Sequence, residues 1–229
     1  MDAENKLKLA IEELRKGNFI LIHDGDDRED ETDLIISAQF VDKDSIKVMR
    51  KDAGGLIVMM IANEVAEKFD LPYLSDLYQD ISKAYPVLGK LIPNDLPYDT
   101  KSAFSISVNH RRTFTGISDV DRSLTIRRFA ELAERGSIED FVREYRSPGH
   151  VPICIARKGL LTERKGHTEM AITLLKMADL SPVAAGCEMI GEDGRSLRKE
   201  DAKRYAEEHG LVFIEGYEIE EGAIEWLEC

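Results

Sequence analysis

The run Phe19-Ile20-Leu21-Ile22-His23-Asp24-Gly25-Asp26-Asp27-Arg28-Glu29-Asp30-Glu31-Thr32-Asp33-Leu34-Ile35-Ile36 sets a dense acidic loop between two apolar segments. The flanking segments are short and rich in isoleucine, as buried strands are. They read as a strand entering the loop and a strand leaving it. From Asp24 to Asp33 there are seven carboxylates and one arginine, a local charge of −6. Like charges held this close repel, and a bound cation is a common source of relief. The loop fails the calcium-hand pattern, because Arg28 falls at its fifth position and Glu29 where glycine is needed. A strand leading into Asp24-Gly25-Asp26 also suits a phosphatase with a carboxylate nucleophile, although Arg28 stands where a small hydroxyl or β-branched residue belongs. The bland alternative is a solvated turn. An arginine among the acids, able to pair with a substrate oxyanion, favours function.

Outward from this loop the chain alternates helices and strands without a strict strand–helix–strand rhythm. Leu7, Ala10, Ile11 and Leu14 recur at helical spacing, and Gly17 stops that helix. Helices are expected over Asp42–Lys51, Arg122–Arg135, Thr168–Met177 and Lys199–His209. Strands are expected over Leu56–Ile61, Phe104–Val108, Val151–Ala156, Val183–Ile190 and Val212–Ile214. From about Leu71 to Thr100 the chain carries Pro72, Pro86, Pro93 and Pro97, which predicts an irregular surface excursion, a lid or an oligomer contact. No glycine-rich phosphate loop follows the first strand. The expected fold is α+β, a single domain over residues 1–229 with a mixed central β-sheet flanked by helices.

Composition narrows the function. At 229 residues, 43% hydrophobic and 33% charged, the chain can bury a substantial core. No apolar run approaches the ~18 residues of a membrane span, and the polar N-terminus lacks a signal-peptide pattern. The expectation is a cytoplasmic protein that binds no membrane. A net charge of −13 argues against a nucleic-acid surface. Glu215–Glu228 contributes another −6 and reads as a solvated helix face. Cys154, Cys187 and Cys229 form no zinc or CxxC spacing and read as reduced thiols.

Four further segments carry chemistry. Arg164-Lys165-Gly166-His167-Thr168-Glu169 joins basic residues to a helix start capped by Thr168, a phosphate cradle in which His167 adds a metal ligand or acid–base group. Ser147-Pro148-Gly149-His150 is a tight turn delivering a histidine to the next strand. Glu188 closes the apolar run Val183–Cys187, where partial burial raises a carboxyl pKa and suits proton transfer. Thr115-Gly116-Ile117-Ser118-Asp119-Val120-Asp121-Arg122 suits a sugar or phosphate, and equally suits a helix cap.

In order along the chain, Asp27-Arg28-Glu29-Asp30-Glu31-Thr32-Asp33, Thr115-Gly116-Ile117-Ser118 with Asp121-Arg122, Pro148-Gly149-His150, Gly166-His167-Thr168-Glu169 and Cys187-Glu188 resemble the 3,4-dihydroxy-2-butanone 4-phosphate synthase family of riboflavin biosynthesis. The resemblance spans about Leu14 to Glu215. It implies conversion of D-ribulose 5-phosphate to formate and L-3,4-dihydroxybutan-2-one 4-phosphate. The implied route runs through a metal-stabilised enediol, dehydration, skeletal rearrangement and loss of formate. It further implies Mg²⁺, with Mn²⁺ as an alternative, two ions per site, and a homodimer with sites near the interface. Glu29 and His167 correspond to metal ligands. Arg28, Glu29, Asp33, Arg164, Lys165, Gly166, His167, Thr168 and Glu188 correspond to substrate contacts. His150 and Glu188 correspond to the positions essential for catalysis, with Asp24 and Glu31 as supporting carboxylates. The chain departs from the family at Asp30-Glu31-Thr32-Asp33, where Asn-Glu-Gly-Asp is common, and at Val58, where a cysteine is common. Its long excursion resembles archaeal members, and it would be the stand-alone form. Besides the phosphatase, a binding module sharing the fold is the competing expectation.

Overall fold

The structure, a computed structural model, describes residues 3–227, so Glu228 and Cys229 lie outside the described residues. Helix α1 (Ala3–Lys16) buries Leu7, Ala10, Ile11 and Leu14, the predicted stripe. Strands β1 (Ile20–His23) and β2 (Thr32–Ser37) flank the acidic loop and pair antiparallel, Ile22 opposite Asp33. Every residue of both strands is buried, so helices must cover both faces of the sheet. Helix α2 (Lys43–Val48) starts from an Asp42 capping box and runs into a π-helical turn, Met49–Ala53, that ends at Gly54. The single expected helix over 42–51 is thus two elements.

Strand β3 covers Val58–Ile61, shorter than expected at its start, and α3 (Asn63–Lys68) follows it. The excursion contains α4 (Leu74–Ile81) and α5 (Pro86–Lys90), the second with proline at its first helical position. Strand β4 (Phe104–His110) leads to α6 (Asp119–Arg135), whose cap is Ser118. Ser118 thus caps the helix, and residues 115–117 form the loop before it. Helix α7 (Ile138–Glu144) feeds β5 (Tyr145–Ile155), so the supposed tight turn at Ser147–His150 is part of a long strand. Helix α8 (His167–Met177), β6 (Val183–Glu188), α9 (Lys199–His209), β7 (Val212–Glu215) and α10 (Gly216–Leu227) complete the chain.

The seven strands form one mixed sheet in the order β4-β5-β3-β6-β2-β1-β7, parallel at β1–β7 and β3–β5 and antiparallel elsewhere. Cys187 Sγ donates to the Met49 carbonyl, which places the π-turn against one sheet face. Glu188 and Asp33, of opposite parity and directly paired in register, point to the other face, toward the start of α8. Burial pushes the Cys154 and Cys187 thiols up to about 12, so neither is a ready thiolate. Among the described residues no helix is long and apolar enough to cross a membrane.

The acidic C-terminal face is not merely solvated. Glu218 is buried and takes the Lys6 ammonium at 2.7 Å, while Glu215 pairs with Lys199 and Lys203. The repulsion expected of that segment is offset by partners distant in sequence.

Candidate active site

The acidic loop folds around Asp24. Its carboxylate accepts the backbone N–H groups of Glu29 (3.1 Å) and Glu31 (3.1 Å), and its side chain is 0% exposed. This organises the loop so that Arg28 and Glu29 turn inward while Asp26 and Asp30 stay exposed. Arg28 Nε lies 3.4 Å from Asp24 Oδ2, and its guanidinium stands 5.9 Å from the centre of the Tyr98 ring.

Helix α8 delivers His167 to the same place from far along the chain. Its Nε2 lies 3.3 Å from the Glu31 carbonyl, its Nδ1 3.7 Å from Glu29, and its Nε2 3.9 Å from Asp33. A carbonyl only accepts, so Nε2 carries a proton and Nδ1 faces Glu29. Ligand atoms of Asp24, Glu29 and His167 fall within 4.8 Å of one another. Burial acts to lower the His167 pKa, but Asp33, Glu29 and Asp24 outweigh it and raise it to about 10. Glu29 is correspondingly lowered, chiefly by His167. Burial raises Asp33 to about 7, with Glu188 and Glu29 adding to the rise and His167 opposing it. Two buried polar atoms beside this cluster, Asp33 Oδ1 and Arg28 Nη2, have no hydrogen-bond partner. Buried polar atoms are rarely left so, and a ligand is one remedy.

Glu188 pairs with Asp33 across β6 and β2, and its Oε2 accepts the Leu56 N–H at 2.7 Å. Burial raises its pKa. His150 is exposed on β5. Strand β3 lies between β5, which carries His150, and β6, which ends at Glu188, so the histidine stands two strands away. Asn109, buried on β4, sets its orientation by accepting from the His150 backbone N–H at 2.8 Å and contacting Nδ1 at 3.0 Å. That support is not visible in the sequence.

The basic turn departs from expectation. Gly166, not Thr168, is the N-cap of α8, and no side chain caps it. Thr168 is buried in the first helical turn. Arg164 is clamped between Asp99, from the excursion, and Glu169, whose side chain is 0% exposed. The two carboxylates raise the Arg164 pKa against the effect of burial. Lys165 is exposed and pairs with Glu220. Glu31 accepts from Ser196 Oγ, and Lys199 binds Asp26. Sequence reasoning missed Tyr98, Asp99 and Lys199, and left Glu169 without a role. The only local signal was the glutamate that closes Gly166–Glu169. Removing the guanidinium strands a fully buried carboxylate, so Arg164→Met is expected to lower unfolding free energy by about 3 kcal/mol. Urea titration would show it as a lower midpoint at unchanged slope.

An open groove of about 1480 Å³ runs past this centre, lined by Asp24, Arg28, Tyr98, Asp99, Arg164 and Lys165 among others. Glu29, Asp33, His167 and Glu188 do not line it. Asp33 and His167 are buried, and Glu29 and Glu188 are half-buried.

A mixed sheet carrying buried carboxylates and an imidazole at the head of a groove defines a small-molecule enzyme. Comparison gives the family. The family model for 3,4-dihydroxy-2-butanone 4-phosphate synthase matches residues 8–221. The synthase of Methanothermobacter thermautotrophicus is 49% identical over 218 residues, covering 95% of each chain. That of Methanosarcina mazei is 44% identical over 230 residues, covering 98% of this chain and 93% of the relative. Among solved structures, the Candida albicans synthase superposes with a TM-score of 0.74 at 28% identity, covering 94% and 95% of the two chains. A synthase solved in complex with two magnesium ions superposes with a TM-score of 0.74 at 27% identity, covering 93% and 94%. The chain belongs to the 3,4-dihydroxy-2-butanone 4-phosphate synthase family.

Proposed function

We propose that this chain, acting as one catalytic domain, converts D-ribulose 5-phosphate to formate and L-3,4-dihydroxybutan-2-one 4-phosphate, with a divalent ion held by Glu29 and His167 and Asp24 beside them. One observation carries the proposal. A loop near residue 29 and a helix starting at residue 167 converge on a carboxylate–imidazole cluster next to Asp33 Oδ1 and Arg28 Nη2, two buried atoms without hydrogen-bond partners. The donor set fits the ion: oxygen donors suit Mg²⁺, and one imidazole also admits Mn²⁺. We further propose two ions per site, as in the relative solved with two magnesium ions. When bound, the metal supplies Lewis-acid stabilisation of charge developing on neighbouring substrate oxygens.

The chain's own residues supply the rest. Arg28, which lines the groove and has a buried Nη2 without a hydrogen-bond partner, binds and orients an anionic or hydroxyl oxygen of the substrate. Asp33 and Glu188 are adjacent carboxyls of raised pKa, and such a pair can take a proton beside a carbonyl and return it within the same site. His150, held through Nδ1 by Asn109 and two strands from Glu188, moves a proton at its other ring nitrogen, Nε2. Lys165, Gly166 and Thr168 lie where the sugar phosphate meets the first turn of α8. Arg164, clamped on two sides, holds that turn and meets the phosphate through what remains of its guanidinium edge. Glu31 acts as a supporting carboxylate fixed by Ser196.

We also propose a cytoplasmic homodimer. The loop before α6 and the helix's first turn leave Phe114 92%, Ile117 53% and Val120 60% exposed, an apolar patch suited to a second copy. The phosphatase alternative has little in its favour, since Asp24 is buried and already accepts two backbone N–H groups. The deciding experiment incubates the protein with ribulose 5-phosphate and Mg²⁺, with and without EDTA, and assays formate and inorganic phosphate. Metal-dependent formate is expected. Phosphate release without formate overturns the proposal.

A further inference from the structure

We propose that Gly55 is a positioning residue for Glu188, so that the absence of a side chain at position 55 sets where the Glu188 carboxylate stands. The proposal rests on the catalytic role given to Glu188 above. After the π-helical turn the chain passes through Gly54 and Gly55 directly against the end of β6. Gly55 N–H donates to the Glu188 carbonyl at 2.9 Å, and Leu56 N–H donates to Glu188 Oε2 at 2.7 Å. The backbone therefore grips both the main chain and the carboxylate of one residue. A Cβ on Gly55 would lie 2.5 Å from the Glu188 carbonyl oxygen, 2.6 Å from Oε2 and 2.8 Å from its Cβ. Two of those three atoms belong to the side chain and one to the backbone, so rotation of the carboxylate alone does not relieve the collision.

The neighbouring glycine provides the contrast. Gly54 has φ +87, a backbone conformation costly for alanine, yet a Cβ there meets only Ile190 at 3.8 Å. Gly55 has no such φ, so space alone, and specifically the space taken by Glu188, decides against a side chain. The two substitutions separate backbone strain from displacement of Glu188.

In formate assays, Gly55→Ala is expected to lower kcat on the order of 30-fold while KM changes less than about threefold, as a displaced proton-transfer group does. Gly54→Ala is expected to lower the unfolding midpoint by about 2–4 °C and to leave kcat near that of the parent. In a Glu188→Gln background, where no carboxylate is left to misplace, Gly55→Ala is expected to cost less than about threefold more. Equal costs of Gly55→Ala in the parent and in the Glu188→Gln background would overturn the proposal, as would a folded Gly55→Ala protein with parental kcat. Absence of formate from the parent would instead remove the functional reading on which the proposal stands, so the two failures are distinguishable.

Discussion

Replacing His167 with alanine is expected to lower formate release from ribulose 5-phosphate roughly 10³-fold, the scale of losing about 4 kcal/mol of electrostatic stabilisation in a buried site. The size follows from the cluster. His167 is the one nitrogen donor in the group with Asp24 and Glu29, and its Nε2 also ties helix α8 to the acidic loop at the Glu31 carbonyl. Without it the cluster is three nearby carboxylates, Asp24, Glu29 and Asp33, with Arg28 and Arg164 as neighbouring cations. The loss should appear mainly in kcat/KM and be accompanied by weaker Mg²⁺ activation. A variant with parental kcat/KM and parental metal requirement contradicts the assignment.

The same histidine makes metal affinity depend on pH, and the sign can be worked out. Its folded pKa, about 10, lies above the ordinary 6.5. In the metal-free protein its interaction with the carboxylates is therefore fully stabilising below about 6.5 and is lost as pH rises through about 10. A divalent ion competes with that proton, so affinity should gain up to about tenfold per pH unit between roughly 7 and 10. Asp33, raised to about 7, adds to the slope below neutrality. Calorimetric titration with Mn²⁺ at pH 7 and 8.5 is expected to differ roughly 30-fold, and equal affinities would count against a protonated His167.

The second large effect concerns Glu188→Gln, expected to lower kcat by about 10²–10⁴-fold with little change in KM. The amide oxygen can still accept the Leu56 N–H, so the side chain keeps its place while losing the capacity to take a proton. Burial raises the Glu188 pKa, so the acidic limb of the parent's pH profile should lie above the ordinary carboxylate range. A Glu188→Gln protein with near-parental kcat would assign the proton transfer to Asp33 alone.

Much of this site is legible without the fold, and the reason is local. Arg28, Glu29 and Asp33 sit within six residues of each other, and Gly166-His167-Thr168-Glu169 is a contiguous motif. Elements with a long apolar stripe, such as α1 and α8, are likewise plain from periodicity. What escapes depends on pairings between distant positions. Asp99 reaches Arg164 across 65 residues and Asn109 reaches His150 across 41, and neither acceptor nor donor is marked by its neighbours in sequence. Helices α3, α4, α5 and α7 are each eight residues or fewer, too short for a periodic pattern to declare itself. The acidic C-terminal segment reads as solvated because Lys6, Lys199 and Lys203 neutralise it only once the chain has folded. Thr168 has the residue type of a cap, whereas the helix begins one residue before it, at His167, behind Gly166.

The most direct test of the account is formate released from ribulose 5-phosphate as Mg²⁺ is titrated into chelator-stripped protein, run in parallel on the parent and on Glu29→Gln. The account predicts no formate at zero metal, saturable activation in the parent, and little or no activation in the variant. Formate release that is equal with and without metal, or identical titration curves for parent and variant, would contradict it.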